Sequence, residues 1–147
     1  MLSHTFIYDA SVYPVENLSM TGSFSQLYSQ TKTVASASSY YIQPFTSNSS
    51  TWMLATDYQA HKKVHLDSTL YVTLANNYGS NQNSSLVNYA AAFSQLGVTV
   101  GCKWDLRKDL AIKPMYAYQR YLPNEGSGIG GAYNAQIVSV SLVANWG

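Results

Sequence analysis

Apolar and polar residues alternate with a period of two along most of this chain. Successive side chains of a β-strand point to opposite faces, so such alternation predicts a strand with one apolar and one polar face. Leu18, Met20, Gly22 and Phe24 alternate with Ser19, Thr21, Ser23 and Ser25. Val98, Val100, Cys102, Trp104 and Leu106 alternate with Thr99, Lys103 and Asp105, and Val138, Val140, Leu142 and Ala144 with Ser139, Ser141 and Asn145. The pattern predicts strands over residues 5–14, 18–30, 51–60, 64–75, 97–106, 110–121 and 133–146. A helix would place apolar residues three and four apart, and only Leu86 to Leu96 hints at that.

The connections between these strands are of two kinds. Val15-Glu16-Asn17, His61-Lys62-Lys63 and Arg107-Lys108 read as tight turns. Residues 31–50, 76–95 and 122–132 are long and polar, and within the first of these residues 39–45 are expected to pair and extend the sheet. Strict alternation of short and long connections is a property of membrane-spanning barrels, with short turns on one side and longer loops on the other. Strands of about ten residues match a tilted bilayer crossing. The expected fold is therefore all-β: an antiparallel up-and-down transmembrane β-barrel, or an open segment of one, of about seven strands in one unit over residues 1–147. Single-chain bacterial barrels have an even strand count, so seven strands suggest the C-terminal part of a longer barrel, or one strand that the pattern misses. Met1-Leu2-Ser3-His4 also lacks the basic and apolar regions of a signal peptide.

Composition sharpens this picture. Only 10% of residues are charged, against roughly 25% in soluble domains. Ser, Thr, Asn, Gln and 13 tyrosines take their place. A soluble surface without charge is poorly protected from association, whereas charge facing lipid is unfavourable. The net charge of +1 argues against a nucleic-acid binder, which usually carries a basic patch. Cys102 is the single cysteine, so no internal disulfide exists, and it reads as a small apolar filler. No cysteine or histidine spacing fits a metal or haem, and no cofactor is expected. No apolar run approaches roughly 18 residues, so no transmembrane helix is predicted.

Two groups of side chains are candidates for function. Tyr13, Tyr58, Trp104 and Trp146 fall toward the turn ends of their strands, and Trp52 and Tyr118 toward the loop ends. Amphipathic rings favour the headgroup level, so these six predict two aromatic girdles. On the polar face Asp57, Asp67, Lys103 and Lys113 form a charge ladder across four adjacent strands, expected to line a lumen, with Asp67 and Lys103 able to approach. Asp57 should oppose Asp67, a pairing seen in acid/base catalysis, but it lies near a tight turn. No catalytic role is expected. Pro114 inside a strand predicts a local irregularity.

The segment from Tyr133 to Trp146 resembles the closing strand of bacterial outer-membrane barrels, which normally ends on an aromatic; here Gly147 follows Trp146. The segment from Leu106 to Tyr121, with its Arg107-Lys108 turn, is similar to the turn-plus-strand unit of the MtrB/PioB family. That resemblance implies an outer-membrane location, the lipid bilayer as a partner, and a cytochrome or other protein inside the lumen. The rival expectation is a soluble or surface-attached β-sheet binding module of adhesin type. A barrel would present its apolar face to lipid, whereas a sandwich would bury that face under a second sheet.

Overall fold

A computed structural model describes residues 2–31, 45–77, 92–123 and 131–144. Seven strands make up nearly all of these: β1 (Leu2–Val15), β2 (Leu18–Thr31), β3 (Phe45–His61), β4 (Val64–Asn77), β5 (Phe93–Arg107), β6 (Leu110–Pro123) and β7 (Tyr133–Ala144). They form one antiparallel sheet in sequence order, with no helix among the described residues. β1 and β7 are the two edges, and the sheet does not close on itself.

The tight turns fall at Glu16-Asn17, Lys62-Lys63 and Lys108-Asp109. Each is accompanied by a register shift, at Val12/Val15, Gln59/His61 and Asp105/Arg107. Such bulges add one unpaired residue and strengthen the local twist. β3 begins at Phe45 and β5 at Phe93, both earlier than alternation predicts. Residues 46–50 are uniformly polar, so they carry no period-two signal, yet their backbone continues the ladder opposite Gln26 to Gln30. Phe93 to Leu96 is strand rather than helix; residues 86–91 and 39–44 lie outside the described residues. Pro114 produces the expected irregularity. The β5–β6 register is interrupted between Gly101/Met115 and Trp104/Ile112, whereas Pro114 keeps its place opposite Val140.

Away from the turns, every partner pair joins two even-numbered or two odd-numbered residues. One face therefore carries the even positions of all seven strands. A single row runs Val12, Met20, Thr56, Ser68, Val100, Tyr116, Val138. Measured from this row, the first turn begins four residues on (Val12 to Glu16). The second begins six residues on (Thr56 to Lys62), and the third eight (Val100 to Lys108). The hairpins are thus staggered by two residues each, or one residue per strand. With a rise of about 3.3 Å per residue and about 4.8 Å between strands, that slope corresponds to a tilt of about 35° if the turns share one level.

The two faces are packed differently. Ser29, Ala75, Gly97, Gly101 and Ala111 are buried, and all lie on the odd face. All are small, so it is their neighbours' side chains that cover them. Tyr71 lies over Gly97, its register partner, so closely that any side chain at 97 would displace the ring; its hydroxyl accepts a hydrogen bond from Gln95 Nε2 at 3.3 Å. Gly97→Val should destabilise the protein by about 1–3 kcal/mol through overpacking, read from guanidinium unfolding in micelles. The double variant Tyr71→Ala/Gly97→Val should recover much of that loss. Simple additivity of the two single effects would contradict this covering role.

Candidate functional site

The even face is an open apolar surface. Leu54, Leu66, Leu70, Val100, Val138, Val140 and Leu142 lie on it and are exposed, Val138 at 77%. Among the described residues no large side chain is fully buried. A folded chain in water rarely leaves a contiguous apolar patch above a few hundred Å². The polar interruptions within the band satisfy themselves: Thr56 and Ser68, which are register partners, share a hydrogen bond of 2.7 Å. Cys102 sits on this face opposite Leu66, as a small filler would.

Toward the long-loop end the even face turns polar. Gln26 donates to Asn48 and accepts from Ser50 Oγ at 2.7 Å. Asn76, Ser94, Arg120 and Gln136 continue this collar. From the reference row the collar begins six residues away on β3 (Ser50), eight on β4 (Asn76), six on β5 (Ser94), four on β6 (Arg120) and two on β7 (Gln136). From β4 to β7 the edge of the apolar band therefore slides along the strands in the same direction as the turns. On β5 it runs from Leu96 to Leu106, about 27 Å in height at that tilt, close to the roughly 25 Å band of membrane barrels.

Four of the six residues expected to form girdles lie near these boundaries. Tyr58 precedes the Lys62 turn by four residues, and Trp104 precedes the Lys108 turn by four. Trp52 lies two residues inside Ser50, and Tyr118 two residues inside Arg120. Trp52 packs on Phe24 with ring centroids 5.4 Å apart, and the Tyr118 hydroxyl donates to Asn134 Oδ1 at 3.4 Å. Tyr13 differs: it falls in the bulge between Val12 and Val15, outside the even rows. Trp146 lies outside the described residues.

The charge ladder shares the odd face but is connected differently from the expectation. Asp57 and Asp67 are register partners. Opposed carboxylates repel, and Asp67 leans to the other side, over Gly101, where an added Cβ would lie 2.6 Å from its Oδ2. Asp67 and Lys113 line one depression of about 160 Å³ with Gly101, Pro114, Met115, Ser139 and Ser141. Asp67 does not meet Lys103. The register sets Asp67 against Gly101 and Lys103 against His65, a displacement of two residues. Lys103 pairs instead with Asp105 on its own strand, Nζ to Oδ1 2.9 Å. Asp105 was visible in sequence as the next odd residue after Lys103, but its pairing was not. No group of three or more His, Cys, Asp or Glu side chains suited to a metal ion occurs among the described residues.

A second, larger depression of about 570 Å³ opens at the short-turn end of the odd face, lined by Lys63, Lys103, Asp105, Arg107, Lys108, Leu110, Ala111 and Val143. Alternation does not single it out, because Lys63 and Lys108 belong to turns and Arg107 ends β5 beyond a register shift. Comparison with protein-family models, with curated proteins and with solved structures finds no match to this chain.

Proposed function

We propose that this sheet is part of the wall of an outer-membrane β-barrel, its even face against lipid and its odd face toward a polar lumen. The observation that carries the reading is the common stagger. Turns and girdle aromatics, and from β4 to β7 the long-loop edge of the apolar band, shift along the strands in one direction as the sheet is crossed. A tilted barrel in a flat membrane requires that, because its strands are inclined while the bilayer levels are not. A sandwich needs an apolar face but no level boundary across it, and among the described residues no second layer covers this one.

In this reading the polar lumen serves passive passage or encloses a partner. The resemblance to the MtrB/PioB family favours a partner such as a multihaem cytochrome. Small polar residues on the odd face, among them Ser19, Thr21, Ser23, Thr69 and Thr99, suit either content. The ordered charges near the short-turn end would set the local potential.

Two experiments test the reading. Leu70→Arg should cost about 2–4 kcal/mol in a folding assay in lipid vesicles, because its side chain faces the band; Thr69→Arg should be mild. Equal effects would contradict the assignment of faces. In planar bilayers, Lys103→Glu with Lys113→Glu should shift an open pore toward cations. Conductance with unchanged selectivity would contradict a lumen role for these lysines. An intact protein that conducts no ions would favour the enclosed-partner form.

A further inference from the structure

The whole chain has a net charge of only +1, but its cations are not spread evenly. Lys62, Lys63, Lys103, Arg107 and Lys108 cluster at the short-turn ends of β3 to β6. Four of them line the 570 Å³ depression, together with one acid, Asp105. The backbone fixes their arrangement. Asp105 N–H donates to the Lys63 carbonyl at 2.8 Å, which extends the β4–β5 ladder one step and holds Lys63 beside Asp105. Lys103 and Asp105 project from the same face of β5, two residues apart, and pair at 2.9 Å. That pair neutralises the single acid of the depression. Lys63, Arg107 and Lys108 form no ion pair among the described residues. Ala111, buried on the odd face, and its register partner Val143 supply an apolar wall.

Three uncompensated cations converging on one concavity favour an anion of more than one charge. The planar guanidinium of Arg107 can take two oxygens of a tetrahedral oxyanion, with lysines as mobile point charges beside it. The space exceeds a bare ion and lies within the usual range for small-ligand sites. We propose that this cleft is a binding site for a phosphate ester, with Lys63, Arg107 and Lys108 holding the phosphoryl oxygens. Ala111 and Val143 contact the carbon portion of the ligand. The phosphate could come from a soluble phosphorylated molecule or from a lipid headgroup at the rim of the sheet. The site depends on local geometry alone, so it stands whether or not the sheet encloses a lumen.

The full chain in dodecyl maltoside micelles would be titrated with glycerol 3-phosphate and followed by phosphorus NMR. In a second arm it would be mixed with vesicles of phosphatidylcholine with and without phosphatidylglycerol. Saturable binding in the first arm assigns a soluble ligand; binding only to phosphatidylglycerol vesicles assigns a headgroup. In whichever arm binds, Lys63→Gln/Arg107→Gln should weaken affinity at least tenfold. Lys62→Gln, which removes the same single charge as Lys63→Gln and from the same turn but outside the cleft, should change it less than twofold, whereas Lys63→Gln alone should weaken it at least threefold. Circular dichroism confirms folding of each variant, and Lys63→Gln alone, with a loss of at least threefold, replaces the double variant if that fails to fold. No binding in either arm, or an equal loss in the Lys62→Gln variant, would overturn the proposal.

Discussion

A slip of one residue in any strand pair would turn every side chain beyond it to the opposite face. The rest of this structure depends on that slip not happening. From Leu2 in β1 to Ala144 in β7 the even positions stay on one face except beyond the three bulges, where Val15, His61 and Arg107 pair with even residues at the turns. The bulges lie beside the tight turns, where the extra residue is absorbed before the paired rows resume. The faces themselves help to hold the register. Tyr71 lies over Gly97 and Asp67 over Gly101, one strand away, and a larger residue at either glycine would have to move the side chain above it.

With the register fixed, the sheet can do without a core in the usual sense. Its apolar side chains are concentrated on a face that nothing else in the described chain covers. In water that arrangement would favour association. Against lipid the same face is at equilibrium with its surroundings, and the backbone polar groups inside the sheet are already satisfied by their neighbours. The two edges, β1 and β7, are the exception. Their outward-facing backbone groups remain open to pairing, as at any exposed sheet edge.

The sequence made the strands and their order legible because alternation and turn residues are local signals. All seven strands form in the expected order, with the first two tight turns where the pattern places them and the third one residue later, at Lys108-Asp109. The extra length of β3 was hidden because Thr46 to Ser50 is polar on both faces, and that of β5 because Leu86 to Leu96 carries a hint of helical spacing. The aromatic levels at Tyr58, Trp104, Trp52 and Tyr118 were also readable, although their shared offsets from turn and collar emerge only with the register. Contacts across strands were less legible. A shift of two residues leaves every face unchanged, yet it moves Asp67 from Lys103 to Gly101 and leaves Lys103 to Asp105. The basic cleft was hidden for a related reason. Its cations come from two turns and one strand, and only the stagger of the hairpins brings them to one rim.

The central claim is that one face meets lipid and the other water, and a spin-label scan along β4 in vesicles measures this directly. Nitroxides would be placed singly at residues 66 to 73. Leu66, Ser68, Leu70 and Val72 should be relaxed by oxygen and protected from an aqueous nickel chelate. Asp67, Thr69, Tyr71 and Thr73 should be relaxed by the chelate. Even positions shielded from both reagents would mean that a second layer of protein covers that face, and absence of a two-residue period would mean that the strand does not divide lipid from water; either result contradicts the account.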